Sequence, residues 1–376
     1  MSKILLTGAT GYVGGTTLDQ LIKSTEPSLK SLTIDTLVRT DDQAQKLRDA
    51  YGARVNPIKW VGLEDTAFIV DTAANYDIIV NTGSGFIPAG ALAFVDGLAR
   101  RAKAGGPAPW LLHIAGCTNL ADRPLTQEAY PLREWDDERD AGAIFDFMKE
   151  ADALEPYAQR TTEVGVLEAA AASGVQAVSL NTPLIFGEGT GLFNRAGLVI
   201  PISMRYIVQH GYGFKLLDTA NFDYVHVVDL ADLYVLLVRA ILERPNRGVG
   251  FIPTGREGVL FPAVARVLMT EIAQRCLDAV FSAGVLPRDG TPQEKEIRQA
   301  SLQEIADELM FGLVDVAERG WAGHKAMKGT VARKLLNWKP TRLEEAWRQE
   351  FEDEFVALRD GRRGITLDAC IGIRTT

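Results

Sequence analysis

The segment Thr7-Gly8-Ala9-Thr10-Gly11-Tyr12-Val13-Gly14 carries the clearest chemical signal in the chain. Its glycines follow a GxxGxxG spacing directly behind an apolar run, Ile4-Leu5-Leu6. Glycine there lets the backbone turn tightly and approach a pyrophosphate closely. The helix that follows offers N–H donors and the positive end of its dipole. This predicts a dinucleotide cradle at Gly8–Gly14. The residue at the end of the second strand then sets the choice of nucleotide. An acid accepts from the ribose hydroxyls, whereas an arginine pairs with a 2′-phosphate. The chain reads Leu37-Val38-Arg39-Thr40. Arg39 therefore predicts a preference for NADP(H), with NAD(H) as the alternative. A one-step shift of register would instead bring Asp35, Asp41 or Asp42 to the ribose.

His113, Ala115 and Cys117 alternate along one run, which puts a His/Cys pair on one strand face. Such a pair is a candidate acid or nucleophile. The plainer reading is a buried cysteine beside a packed histidine. The four histidines, at 113, 210, 226 and 324, fall at no metal-ligand spacing, so no zinc site is expected.

The elements that must position these residues follow from periodicity. Strands are predicted at Ile4–Leu6, Leu32–Val38, Arg54–Trp60, Asp77–Asn81, Trp110–Ala115 and Gln176–Asn181. Between them lie helical stretches at Gly15–Lys23, Asp42–Tyr51, Thr66–Ala74, Ala89–Ala104 and Glu163–Ser173. Such alternation predicts an α/β fold, a Rossmann-type doubly wound parallel sheet covered on both faces. Beyond about residue 181 the pattern loosens. Residues 1–181 are read as the nucleotide domain, with 224–242 returning to it. Residues 182–223 and 243–359 are read as a smaller, helix-rich substrate lobe, with Val259–Gly320 mostly helical. Residues 360–376 are read as a surface tail.

Composition narrows the class. The chain has 376 residues, 47% apolar and 24% charged, with a net charge of −9. That is an ordinary globular balance, and the absence of a basic run argues against nucleic-acid binding. No long uncharged apolar run predicts a membrane span. Cys117, Cys276 and Cys370 are widely spaced, which fits a reducing compartment, and a cytoplasmic location is expected.

With these pieces placed, the chain resembles the extended short-chain dehydrogenase/reductase superfamily, the NAD(P)-dependent epimerase/dehydratase group. Thr7–Gly14 matches its TGxxGxxG loop. Asn181-Thr182-Pro183-Leu184-Ile185-Phe186-Gly187 is similar to its RPxxxYG segment. Tyr224-Val225-His226-Val227-Val228-Asp229-Leu230-Ala231 is similar to its YVHVxDLA segment, and Leu335-Leu336-Asn337-Trp338-Lys339-Pro340 to its LGWxP signature. Asn81-Thr82-Gly83 and the loop Gly187–Arg195 look most like fungal, atypical members. The resemblance implies cofactor contacts from Gly8, Thr10, Gly11, Tyr12, Val13, Thr82, Gly83, Tyr157 and Pro183, besides Arg39.

It also implies a catalytic set: a hydroxyl residue after the fifth strand and a YxxxK motif. There the tyrosine moves a proton at the substrate oxygen, and the lysine lowers the tyrosine pKa and holds the ribose. This chain departs from that set. Ala115 stands where the hydroxyl residue is usual, and Thr161 stands four residues after the best tyrosine, Tyr157. Tyr157 is the expected acid, Thr118 the expected replacement hydroxyl, and Arg160 a candidate source of charge. Glu163 and Glu168 read as solvated or capping charges. His226 reads as an anchor of its own segment. Asn194, Arg195 and Tyr206 fall in the expected substrate region.

The resulting reading is an NADP(H)-dependent oxidoreductase acting on a small carbonyl or alcohol, with a degenerate catalytic set. Its alternatives are a redox-silent isomerase, dehydratase or cyclase that retains the nucleotide, and a non-enzymatic NAD(P)-sensing regulator. The expected partner is a small-molecule substrate, with a homodimer as a further option.

Overall fold

The computed structural model describes residues 2–131, 133–244, 251–362 and 371. Most of the expected tail, including Cys370, lies outside the described residues. The first half alternates strand and helix: β1 (Ile4–Thr7), α1 (Tyr12–Lys23), α2 (Pro27–Lys30), β2 (Ile34–Val38), α3 (Asp41–Tyr51), β3 (Val55–Lys59), α4 (Thr66–Ala73), β4 (Ile78–Asn81), α5 (Pro88–Lys103) and β5 (Trp110–Gly116). There follow β6 (Glu134–Asp136), α6 (Ala141–Leu154), α7 (Ala158–Ser173) and β7 (Gln176–Thr182).

The principal sheet has seven strands, and its sixth contributor in chain order, β7, is followed by one more at the edge. That strand is Val259–Leu260, which pairs with Ser179–Leu180 of β7. Every pairing in this sheet is parallel. Successive side chains along each strand enter opposite cores, as the twofold strand period demands. Leu5, Ile79, Leu111 and Ala177 join the core built with Phe94, Leu98, Val166 and Leu167 of α5 and α7. Leu6, Val80, Leu112 and Val178 join the opposite core, with Leu18 and Leu21 of α1 and with Leu230, Leu233 and Leu237. The sheet runs β3-β2-β1-β4-β5-β7 from one edge, so the direction of winding reverses between β1 and β4. In open α/β sheets the crevice at that reversal, beyond the carboxyl ends of the strands, is where ligands bind.

The C-terminal lobe contains β8 (Leu184–Phe186), α8 (Val199–His210), β9 (Gly213–Lys215), β10 (Asn221–His226), α9 (Val227–Leu242), β11 (Val259–Leu260), β12 (Ala265–Leu268) and α10 (Met269–Ser282), with α9 and β11 turning back to the principal sheet. It ends with β13 (Ile297–Gln299), α11 (Leu302–Leu309), α12 (Val314–Trp321), β14 (Ala326–Lys328), α13 (Val331–Leu336) and α14 (Glu344–Arg359). The stretch Val259–Gly320 is thus not uniformly helical, since it supplies β11, β12 and β13. These strands are two to four residues long, too short to show a period of their own. Part of 243–359 thereby belongs to the principal sheet. Two distant segments are joined by the buried Asp229: its carbonyl accepts from Trp338 Nε1 at 2.8 Å, and its carboxylate accepts from the Arg342 N–H and Nη1 at 2.9 Å each. Among the described residues, no helix is long and apolar enough to cross a membrane, and no cluster of His, Cys, Asp and Glu could hold a metal ion.

Candidate active site

The glycine loop leaves β1 at the reversal point. Gly8 has φ +76°, a conformation that side chains disfavour, and its N–H···O bond from Gly11 (2.8 Å) closes the turn. A Cβ on Gly8 would stand 2.7 Å from the Thr82 carbonyl oxygen, and one on Gly14 would stand 2.3 Å from the Gly8 oxygen. The loop therefore lies directly against the end of β4, where Thr82 Oγ1 donates to the Thr7 carbonyl at 2.6 Å and Asn81 Oδ1 accepts from Gly83 N–H at 3.3 Å. No side chain caps the N-terminus of α1. This geometry fits a dinucleotide pyrophosphate, which needs close backbone approach and the positive end of a helix. Thr10 and Val13 lie in the loop and the first turn of α1, and Pro183 is buried just after β7. The Tyr12 hydroxyl donates to the Gly187 carbonyl, and Gly191 packs against Gly15 so closely that a Cβ there would lie 2.9 Å from its Cα. The loop after β8 is thus pinned to α1, with Asn194 N–H donating to the Thr10 carbonyl at 3.3 Å.

Arg39 directly follows β2 and is exposed. Its N–H donates to Gln43 Oε1 at 2.9 Å, as part of the capping box that Thr40 and Gln43 build on α3. The cap fixes the backbone of Arg39, and the residue is exposed.

At the carboxyl end of β5 three side chains meet. The Tyr157 hydroxyl donates to Thr118 Oγ1 at 3.2 Å, and Thr118 Oγ1 donates to Gln159 Oε1 at 2.6 Å. Tyr157 is only 2% exposed; Phe86 meets its ring edge-on at 5.7 Å, and the Arg319 guanidinium lies 4.8 Å from the ring centroid. Gln159 lies between two glycines. A Cβ on Gly116 would come within 2.7 Å of its Nε2, and one on Gly85 within 3.4 Å of its Cγ.

Several expectations are corrected here. Thr161 does not point at the site: its hydroxyl binds Asp152 Oδ1 and Oδ2 at 3.0 and 2.9 Å. The reason is helical phase. α7 begins at Ala158, and the face it turns to the sheet carries Gln159 and, four residues on, Glu163. Gln159, not Thr161, is the side chain that reaches the end of β5. Counting four from Tyr157 missed it, although the Gln159/Glu163 spacing was there to be read. Arg160 is no source of charge for the site. It is 1% exposed, and its Nη2 donates to the carbonyls of Ala151 and Glu155 at 3.1 and 2.7 Å, tying down the end of α6. Glu163 is not solvated. It is fully buried and accepts from Asn119 Nδ2, Ser179 Oγ and Asn181 Nδ2 at 2.6, 2.6 and 2.8 Å. Burial pushes its carboxyl pKa up, and the three donors pull against that shift. Glu168 is exposed and pairs with Lys149.

The His113/Cys117 pair also dissolves as a reactive couple. β5 ends at Gly116, and Cys117 opens a short 3₁₀ turn instead of continuing the strand face. Burial pushes its thiol up to about 12, so it stays protonated and weakly nucleophilic. His113 is fully buried. Burial holds its pKa down to about 4, and its Nδ1 faces Asn81 Nδ2 at 3.0 Å. Asn81 in turn accepts from Thr7 Oγ1 at 2.7 Å, so Nδ1 is the acceptor and Nε2 carries the proton. His226 Nδ1 accepts from Val228 N–H at 3.1 Å and caps α9. Tyr206 is a core residue packed on His210 and Phe214, and Arg195 binds the Gly189 carbonyl within its own loop at 2.6 Å.

No protein-family model matches the chain. The oxidase ucsJ of Acremonium sp. is 24% identical over 350 residues, spanning 90% of this chain and 92% of that protein. A double mutant of DesIV, the dTDP-glucose 4,6-dehydratase of Streptomyces venezuelae solved with NAD, superposes with a TM-score of 0.62 at 12% identity, covering 96% of this chain and 98% of that one. The UDP-glucose 4-epimerase of Thermotoga maritima gives 0.59 at 12% identity, covering 96% and 100%. The yeast methylglyoxal/isovaleraldehyde reductase solved with NADPH gives 0.58 at 14% identity, covering 96% and 99%. These likenesses show the fold: like those solved enzymes, the chain is built on a Rossmann-type parallel sheet with a smaller, helix-rich C-terminal lobe.

Proposed function

We propose that the protein is an NADP(H)-dependent oxidoreductase acting on a small carbonyl or alcohol. One observation carries this reading. The glycine loop after β1, Thr82 after β4 and the Tyr157–Thr118–Gln159 chain after β5 form a strip along the carboxyl ends of three adjacent strands. A Cβ on Gly8 would stand 2.7 Å from the Thr82 carbonyl oxygen and one on Gly85 3.4 Å from Gln159 Cγ, so these parts adjoin. A dinucleotide is the group that strip would hold. Its nicotinamide, when bound, supplies or accepts the hydride. Gly8–Gly14 would hold the pyrophosphate, and Arg39 would hold the 2′-phosphate. Tyr157 turns its proton from Thr118 to the substrate oxygen, and Thr118, held by Gln159, orients that hydroxyl. The names of the oxidase relative and of the NADPH-bound reductase support the reading.

A second reading has its own observation. The side chain reaching the end of β5 is an amide, Gln159, which carries no charge to favour a tyrosinate. Tyr157 then works only as a protonated donor, which suits an isomerase, dehydratase or cyclase that retains its nucleotide. Calorimetric titration with NADPH and NADH, followed by absorbance at the nicotinamide band with a panel of small aldehydes and ketones, tests both. Substrate-dependent NADPH oxidation supports the first reading. Product without net oxidation supports the second, and no binding of either nucleotide overturns both.

A further inference from the structure

Asp122, His324 and Thr219 form a second hydrogen-bonded chain. Asp122 is fully buried. Its Oδ1 accepts from the His324 N–H at 2.7 Å, and its Oδ2 accepts from the Tyr130 N–H at 3.1 Å and faces His324 Nδ1 at 2.9 Å. The carboxylate thus fixes both the backbone and the ring of one histidine. An Nδ1 that faces a carboxylate carries the proton, which leaves Nε2 as an acceptor. That Nε2 lies 2.9 Å from Thr219 Oγ1. The carboxylate is shielded, the imidazole is 15% exposed, and the chain ends on an exposed hydroxyl.

The surroundings hold this geometry rigid. Lys325, next to His324, is buried and donates from Nζ to the carbonyls of Arg319, Gly320 and Gly323 at 2.7, 3.2 and 2.7 Å. Its N–H donates to Asn221 Oδ1 at 3.1 Å, which ties the loop bearing His324 to the loop bearing Thr219. Preorganisation of this kind is what an acid–base constellation requires.

We propose that Thr219, His324 and Asp122 form a second, nucleotide-independent catalytic centre, an acyl-transfer triad with Thr219 as nucleophile toward small activated acyl esters. Such triads are recognised by geometry and role, and they recur on unrelated folds. Thr219 Oγ forms a bond to the ester carbonyl carbon while its proton passes to His324 Nε2. Collapse of the adduct breaks the bond from that carbon to the leaving oxygen, which takes the proton from Nε2. Water then adds to the acyl carbon and gives a proton to Nε2. The carbon–Oγ bond breaks, Oγ recovers the proton, and the carboxylic acid departs. Asp122 holds the imidazole in the working tautomer and stabilises the imidazolium.

The test uses the full-length protein with p-nitrophenyl acetate and no added nucleotide. Release of p-nitrophenol is followed by absorbance, and the acetylated residue is located by peptide mass spectrometry. Acetyl-Thr219 is expected. Thr219→Val and His324→Gln should lower the rate on the order of 10²-fold, the scale of general acid–base catalysis. Thr219→Ser should retain it. Thr219 is exposed, so its variants are expected to fold, and their melting curves verify this. Thr219→Val turning over at the wild-type rate overturns the proposal, as does acetyl found only on lysine or histidine. A wild-type rate no faster than buffer also overturns it, and leaves the NADP(H) reading to stand or fall by its own titration.

Discussion

The Thr118 hydroxyl donates to the side-chain oxygen of Gln159 at 2.6 Å, so an uncharged amide anchors the hydroxyl pair at the end of β5. A neutral acceptor can orient Thr118 and, through it, Tyr157. It cannot stabilise negative charge on the phenol oxygen as an ammonium would. The Arg319 guanidinium stands 4.8 Å from the Tyr157 ring centroid. Arg319 is itself committed to the Ala121 carbonyl at 2.8 Å and the Glu155 carboxylate at 2.6 Å.

Tyr157→Phe removes only the hydroxyl and keeps the ring packing against Phe86. Turnover should fall roughly 10²–10⁴-fold, the range for loss of a general acid, with nucleotide affinity unchanged. Steady-state kinetics beside a binding titration measure both. Undiminished turnover removes Tyr157 from the mechanism and shifts the role to Thr118.

Gly116→Ala tests the Gln159 anchor from the opposite side. The new methyl would sit 2.7 Å from Gln159 Nε2, the far end of a flexible side chain. The amide should swing away and release Thr118. Stability should fall by only about 1 kcal/mol, the net value of one hydrogen bond, while turnover drops more steeply. A crystal structure with Gln159 still bonded to Thr118 would contradict this.

Gly14→Ala should behave differently, because its Cβ meets backbone. The Gly8 carbonyl oxygen would lie 2.3 Å away, and neither β1 nor α1 can yield cheaply. The expected loss is about 1–3 kcal/mol or more from overpacking, larger than the helix propensity that alanine gains. Denaturant unfolding should show a lower midpoint, and nucleotide binding should weaken in parallel.

Arg39→Asp should weaken NADPH binding by on the order of 1–3 kcal/mol through loss of a charge-assisted bond. NADH binding should hold or improve. Calorimetry of the variant with both nucleotides decides this, and an equal loss for the two would contradict the assignment of Arg39.

His113 makes a pH prediction. Burial lowers its pKa from 6.5 to about 4. As pH falls, the unfolded chain takes up this proton before the folded one. The stability contributed by the neutral ring is therefore full above about pH 6.5 and lost as pH falls through about 4. Wild type should lose up to about 3 kcal/mol across that window relative to His113→Gln, which cannot titrate. Urea unfolding of both at pH 7, 5.5 and 4 would reveal it, and parallel losses would argue against a buried neutral imidazole.

Much of the fold was legible without coordinates, because its signals are local. Glycine spacing in Thr7–Gly14 reports backbone conformation, and the alternation from Ile4 to Asn181 reports burial along each element. Neither depends on what lies across the molecule. The strands Val259–Leu260, Ala265–Leu268 and Ile297–Gln299 are too short to carry a period, and only pairing with distant strands makes them strands. The catalytic neighbourhood was less legible for a related reason. The rotation of α7 against the sheet decides that Gln159 and Glu163 face inward while Thr161 faces Asp152, and packing sets that rotation. Asp122, Thr219 and His324 lie far apart along the chain, so no window of sequence contains their relationship. Local geometry and periodicity were written in the sequence itself. Which polar groups meet was decided by tertiary packing, which alone sets the distance between residues remote in the chain.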